Sequence, residues 1–85
     1  MKWSKEHKTL FENAWYKTAR SKKRKLKICF TGTGDSFYYF LVNFPNGKTF
    51  NSLWEELRYD TEEDCLKGLL TFLEALENGV FPMYL

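Results

Sequence analysis

The sequence contains few of the residues from which catalytic and metal sites are usually built. Among its 85 residues are one histidine, His7, and two cysteines, Cys29 and Cys65. A single histidine excludes a site that depends on a histidine pair. Nothing in the sequence indicates the orienting group and oxyanion site that a cysteine nucleophile requires. We therefore expect a protein that is not an enzyme and that uses no cofactor and no metal.

Long apolar runs and a secretory pattern are also missing. No stretch approaches the roughly 20 apolar residues that span a membrane, and the polar N-terminus is unlike a signal peptide. The two cysteines lack the density and spacing of a secreted disulfide scaffold, so we expect reduced, buried thiols, with one disulfide between them as the alternative. These features predict a cytoplasmic protein without a membrane partner. Met1 and the ending FPMYL predict a complete small gene product, with a trimmed domain of a longer protein as the alternative.

Aromatic side chains, in contrast, are abundant. Phe, Tyr and Trp together make up 19% of the residues. A domain of this size buries only about 60–65% of the surface of its unfolded chain, so it needs large side chains in its core. Because this supply exceeds what a small core hides, we expect some rings at the surface. Trp, Tyr, Phe and Met are frequent at protein interfaces, so some of these side chains predict a protein-binding surface. The alternative is that they only fill the core. The predicted members of this surface are Trp54, Tyr59, Phe81, Met83 and Tyr84.

The charges are divided between the two ends of the chain. The formal net charge is +2. Residues 1–31 contain ten Lys or Arg and two Glu, which gives +8, whereas residues 32–85 contain three Lys or Arg and nine Asp or Glu, which gives −6. Such polarity within one small domain indicates an electrostatically oriented interaction.

The densest positive charge lies in the segment ARSKKRKLKICF, residues 19–30. Six side chains there form the candidate anion-binding site: Arg20, Lys22, Lys23, Arg24, Lys25 and Lys27. They predict binding to DNA or RNA that is largely independent of sequence and sensitive to salt. Trp15, Tyr16 and the pair Tyr38–Tyr39 would add stacking if they are exposed on the same side. Two alternatives are an acidic or nucleic-acid-binding protein partner, and a solvated strand edge whose lysines discourage edge-to-edge pairing.

The first half of the chain predicts a helix followed by strands. Residues 4–19 show helical spacing of apolar side chains, with Ser4 as the N-cap. Residues 20–24 form a basic connection. The region 25–53 predicts an antiparallel sheet of three strands, since residues 25–31 alternate and 37–44 are aromatic and β-branched. The turn PNGK, residues 45–48, precedes the third strand.

The second half predicts one further helix and a tail. The stretch 53–59 is compatible with either a strand or a short helical turn. Residues 61–77 predict a helix with Asp60 or Thr61 as its cap and Asn78-Gly79 at its end. Its buried stripe is predicted to contain Cys65, Leu66, Leu69, Leu70, Phe72, Leu73 and Leu76. Residues 80–85 form an apolar tail.

These elements predict a single domain over residues 1–85. The order is α-β-β-β-α, with a three-stranded antiparallel meander packed against helices in two layers, which is an α+β fold. We expect a small binding protein that contacts nucleic acid through residues 20–27. The alternative is an inhibitor or adaptor of the kind that phages and mobile elements encode, which binds a protein through charged faces and exposed aromatic residues.

The stretch FYYFLVNFPNGK, followed by RYDTEEDCLKGLLTFLEAL, resembles small domains in which a three-stranded sheet packs on one helix. It is similar to bacterial domains of unknown function and to the arm-binding N-terminal domains of phage integrases. The resemblance covers residues 26–76. An integrase-like domain implies basic and polar residues on the exposed sheet face, whereas this chain has Glu55 and Glu56 near its third strand.

The predicted element order also resembles that of double-stranded-RNA-binding domains. In that family the last helix begins with basic residues. Here the acidic residues within 60–64 would repel phosphate, so we do not expect that function.

Overall fold

The computed structural model describes residues 2–8, 14–21, 25–33 and 37–81, which form an antiparallel sheet and a C-terminal helix. The strands are β1 (His7–Lys8), β2 (Trp15–Ser21), β3 (Leu26–Gly32), β4 (Tyr38–Asn43) and β5 (Thr49–Asn51). A 3₁₀ helix (Ser52–Glu55) and α1 (Glu62–Glu77) follow. The strands lie in the sheet in chain order, and each neighbouring pair is antiparallel. The domain is therefore an α+β meander.

The predicted helix over residues 4–19 is wrong. Residues 7–8 and 15–19 of that stretch belong to strands, so the sheet has five strands rather than three, and the α-β-β-β-α order is also wrong. Ser4 caps no helix, because its N–H donates to the Thr18 carbonyl at 2.8 Å and its Oγ accepts from the Thr18 N–H at 2.9 Å. The segment therefore runs beside β2 as an edge.

Tertiary pairing explains why β2 is a strand. All seven of its residues pair with β3, and this register sets Ala19 opposite Ile28, where it is buried. Trp15 packs on Phe30 with ring centroids 5.6 Å apart. Trp15, Tyr16 and Thr18 are also residue types that favour strands, so the helical spacing was outweighed by pairing and burial.

The remaining strands and their turn confirm the prediction. β3 and β4 lie within one residue of the predicted bounds of 25–31 and 37–44. In the PNGK turn Gly47 has φ of +86°, and the Asn46 side chain accepts from the Lys48 N–H at 3.0 Å. A left-handed φ is the geometry that favours glycine at this position.

The helix α1 begins and ends as predicted. The Thr61 Oγ1 accepts from the Asp64 N–H at 3.0 Å, which satisfies one of the free donors of the first turn. At the other end Gly79 has φ of +75°, and the Val80 N–H donates to the Ala75 carbonyl at 3.0 Å. This is a Schellman termination.

The stretch 52–59 combines the two structures that its sequence allows. Residues 52–55 form the 3₁₀ helix, and Tyr59 then pairs as an isolated bridge with Tyr38. Ser52 is fully buried, and its Oγ accepts from the Phe40 N–H of β4 at 3.1 Å. Ser52 therefore satisfies a strand donor just beyond the end of β5, and the helical turn projects Trp54 outward.

The core lies between the sheet and α1 and contains the predicted side chains of β3. Its buried members are Leu26, Ile28, Phe30, Phe40, Val42, Phe44, Phe50, Cys65, Leu69, Phe72 and Leu76. The prediction that Leu66 and Leu70 are also buried is wrong, since they are 36% and 50% exposed. One sheet covers only one side of a helix, and these two residues lie beyond that side.

Candidate nucleic-acid interface

The sheet has one face turned away from α1, here called the open face. Successive side chains on a strand point to opposite faces, so the register of the strands identifies its members. No helix in the described ranges covers it. Its members form three rows across the strands. The aromatic row is His7, Tyr16, Thr31 and Tyr39; the middle row is Thr18, Cys29, Leu41 and Asn51; the basic row is Arg20, Lys27, Asn43 and Thr49.

The basic row places two cations directly opposite each other. Arg20 of β2 pairs with Lys27 of β3, and both side chains are exposed. In the described part of the chain neither of them forms an ion pair with a carboxylate. Like charges directly opposite on neighbouring strands destabilise the pair. The arrangement therefore costs stability in the free protein and suits an anionic ligand.

The aromatic row lies at the other end of the open face. His7 stacks on Tyr16 with ring centroids 5.1 Å apart and an interplanar angle of 22°. Thr31 lies between Tyr16 and Tyr39 in this row and is only 7% exposed. The two tyrosine side chains therefore lie on either side of a buried threonine. Four residues of strand separate the two rows, which is about 13 Å.

A groove of about 650 Å³ connects the two rows along β1 and β2. Its lining includes Lys2 and His7 from the N-terminal segment, and Tyr16, Arg20 and Lys27 from the sheet. Among the described residues, the walls of the groove therefore contain three cations and the rings of Trp3, His7 and Tyr16, and no carboxylate.

Charge is separated between the two layers of the domain. The five strands contain four Lys or Arg and no Asp or Glu, which gives +4. The helix α1 contains five Asp or Glu and one Lys, which gives −4. The division between the two ends of the sequence thus becomes a division between a basic sheet and an acidic helix. An anion is attracted to the first and repelled by the second.

The predicted basic site is partly within the described residues. Arg20 belongs to β2, Lys27 belongs to β3, and Lys25 immediately before β3 is exposed with φ of +56°. Lys22, Lys23 and Arg24 lie outside the described residues. The predicted basic connection over 20–24 is therefore wrong at its start, since residues 20 and 21 belong to β2.

The predicted protein-binding residues do not form one surface. Trp54 is 67% exposed on the 3₁₀ helix. Tyr59 and Phe81 are half-buried against the core, and Phe81 lies 5.3 Å from Phe72 between ring centroids. Met83 and Tyr84 lie outside the described residues.

Sequence reasoning identified the tyrosines but not their arrangement. Tyr38 and Tyr39 lie on opposite faces, with Tyr38 among Trp15 and Phe30 on the helix side. Tyr39 and Tyr16 share the open face only because both pair with Thr31. The alternation within 15–21 was the signal that could have placed Tyr16, but the helix prediction concealed it.

The two thiols are free, and the disulfide alternative is wrong. Cys29 lies on the open face, where its Sγ is 3.7 Å from Thr31 Oγ1. Cys65 is buried on α1 on the other side of the sheet, and burial raises the pKa of its thiol to about 12. The sheet separates the two side chains, so they cannot approach to bonding distance.

Among the described residues, no cluster of three or more His, Cys, Asp or Glu side chains is arranged to hold a metal ion. The helices in the same ranges include none that is long and apolar enough to cross a membrane. The chain matches no known family model, no curated protein and no solved structure.

Proposed function

We propose that this chain is a small, non-enzymatic protein of the cytoplasm that binds nucleic acid, with the basic segment 20–27 as its phosphate-contacting edge. The observation that carries the proposal is the opposed pair Arg20 and Lys27 on an open face whose three described rows contain no carboxylate. A rigid strand pair holds both cations, so their charge is positioned toward a ligand. Phosphate neutralises this pair and releases counterions from the nucleic acid.

Replacing both opposed cations tests the proposal. We expect Arg20→Gln/Lys27→Gln to weaken binding of DNA and RNA at least about tenfold at low salt. The slope of log affinity against log salt should fall by about 2, since each phosphate contact contributes about 1 to it. Fluorescence anisotropy with a labelled oligonucleotide over a salt series measures both quantities.

The matched control is Lys8→Gln/Lys67→Gln, which removes the same number of positive charges. Lys8 belongs to β1, lies outside the rows of the open face, and its Nζ is 3.5 Å from Glu6. Lys67 lies on α1, and its Nζ is 3.4 Å from Glu63 on the acidic layer. This variant should retain its affinity within about twofold, because an exposed pair contributes little. Equal losses in the two double variants would show that only net charge matters, and the positioned site would be rejected.

A second candidate is a protein-directed inhibitor or adaptor of the phage or mobile-element type. It is supported by two large exposed side chains, Trp54 and Leu57, and by the acidic α1 with its exposed Leu66 and Leu70. Leu57 lines a groove together with Thr71 and Ala75 of α1. Exposed tryptophan is a frequent interface anchor. In this function the acidic layer imitates phosphate and binds a nucleic-acid-binding protein.

The second candidate predicts a stoichiometric complex that survives nuclease treatment. Trp54→Ser should abolish this complex, whereas Val80→Ser, which changes another exposed apolar residue, should leave it intact. Co-purification followed by size-exclusion chromatography measures the stoichiometry. A complex that disappears with nuclease supports the nucleic-acid function instead.

A further inference from the structure

The open face carries two rings that are placed for separate contacts. Tyr16 and Tyr39 lie on β2 and β4 with β3 between them, so their strands are about 10 Å apart. Aromatic pairs interact at centroid distances of about 4.5–7 Å. The two tyrosines are therefore too far apart to stack on each other, and each is half-buried with part of its ring facing solvent.

Neighbouring side chains support these rings from the side. His7 stacks against Tyr16, and the Tyr39 ring lies 6.3 Å from the ring of Phe37. The Arg58 guanidinium is 4.4 Å from the centroid of Phe37 and extends this cluster with a cation. Both tyrosines are thus held in orientation by neighbours and by the sheet, and an ordered ring loses little entropy when a base stacks on it.

We propose that the open face binds single-stranded nucleic acid, with bases stacked on Tyr16 and Tyr39 and backbone phosphates bound by Arg20 and Lys27. This inference rests on the proposed nucleic-acid function and specifies its ligand. Charge complementarity selects the face, because none of the rows on it contains a carboxylate while α1 carries −4. The tyrosine rings then add contacts to the bases, which phosphate-binding cations alone do not make.

The geometry favours a single strand over a duplex. In a duplex the bases stack on each other and present only their edges, so they cannot stack on a protein ring. The aromatic row also extends over four strands, which is about 14 Å between β1 and β4. The major groove of B-DNA is about 12 Å wide and admits a helix or a two-stranded ribbon. A row of this width is not matched to that groove.

The middle row fits the same ligand. Thr18, Cys29 and Leu41 are uncharged and half-buried, so they do not repel the strand where it crosses from the cations to the rings. The separation of about 13 Å between the outer rows corresponds to about four nucleotides at the 3.4 Å rise of a stacked strand, and to fewer in an extended strand. Phosphates and stacked bases therefore belong to different nucleotides, which is typical of sheet surfaces that bind single strands.

Removing the rings while keeping apolar volume tests this inference. We expect Tyr16→Leu/Tyr39→Leu to weaken binding of a single-stranded oligonucleotide of about 12 nucleotides by roughly 100-fold, about tenfold for each ring. Its affinity for a duplex of the same length should stay unchanged. Tyr16→Phe/Tyr39→Phe should retain single-strand binding, because stacking requires the ring and not the hydroxyl. Anisotropy titrations with DNA and RNA oligomers provide the affinities, and circular dichroism confirms that each variant is folded.

The matched control is Trp54→Leu, which removes an exposed ring on the 3₁₀ helix, outside the three rows of the open face, and should leave every affinity unchanged. A parent protein that prefers the duplex, or a leucine double variant that binds the single strand as the parent does, overturns the stacking inference. If Arg20→Gln/Lys27→Gln still loses affinity in that case, the proposed nucleic-acid function stands without it. A parent protein that binds no oligonucleotide overturns both proposals.

Discussion

Phe72→Ala is expected to lower the free energy of unfolding by about 3–5 kcal/mol, the cost of emptying an aromatic site in a core. The Phe72 ring stacks on Phe50 at 4.1 Å between centroids and lies 5.9 Å from Phe40 and 5.3 Å from Phe81. Rings from β4, β5, α1 and the segment after it therefore all meet at this one side chain. A domain of 85 residues has a total stability of about 4–13 kcal/mol, so this variant approaches or reaches global unfolding.

The matched control is Leu70→Ala, two residues earlier on the same helix. Leu70 is half exposed, so its truncation should cost less than about 1 kcal/mol. Urea denaturation followed by circular dichroism measures both variants. Similar losses for Phe72→Ala and Leu70→Ala would contradict the packing described for α1, because they would place both side chains in the core.

This contrast also indicates what the sequence of α1 could and could not specify. Its ends depend on local chemistry, namely the Thr61 cap and Gly79 with its left-handed φ, and both were predicted correctly. Its buried side depends on what packs against it. The helix has more apolar residues than one sheet can cover, and periodicity alone did not separate Leu69, which is buried, from Leu70, which is not.

The helix prediction over residues 4–19 was wrong because the structure of this region depends on a distant part of the chain. Apolar spacing over residues 4–19 fitted a helix, but the pairing partner of β2 lies beyond the basic segment, at Leu26–Gly32. A pattern confined to one window cannot reveal that pairing. The choice between a helix and a strand was therefore decided by tertiary contacts such as that of Trp15 with Phe30.

The candidate site was predictable only in its composition. The cations of residues 20–27 are evident in the sequence, and the prediction of stacking required only that aromatic residues be present near them. The register is what brings Arg20 opposite Lys27, and Tyr16 and Tyr39 to the two sides of Thr31. Because a shift of one residue would turn every one of these side chains to the other face, the site depends on pairing that composition does not encode.

Gly68→Ala provides the sharpest test of how α1 lies on the sheet. In the middle of a helix, alanine is normally favoured over glycine by about 1 kcal/mol. At Gly68, however, an added Cβ would lie 2.7 Å from Tyr59 Cε1, with Cζ and the hydroxyl closer still. Gly68 therefore lies where α1 approaches Tyr59 closely.

Tyr59 has little freedom to move away from such a Cβ. Its N–H and carbonyl both bond to Tyr38, at 3.2 and 2.8 Å, and its ring stacks on Phe40 with centroids 6.2 Å apart. Burial raises the pKa of its hydroxyl, with a smaller contribution from Cys65, as expected for a phenol lodged against the helix. Overpacking of a site of this kind costs about 1–3 kcal/mol.

We therefore expect Gly68→Ala to lower the free energy of unfolding by about 1–2 kcal/mol, despite the gain in helix propensity. In a Tyr59→Ala background the obstructing ring is gone, and the same substitution should instead stabilise the protein by about 1 kcal/mol.

Gly79→Ala is the matched control. The φ of Gly79 is +75°, so alanine there should cost about 1 kcal/mol in both backgrounds, since this strain does not involve Tyr59. A double-mutant cycle by urea denaturation measures the coupling. If Gly68→Ala stabilises the parent protein as much as it does the Tyr59→Ala variant, the helix does not approach Tyr59 as described, because only their contact makes the sign of the effect depend on the ring.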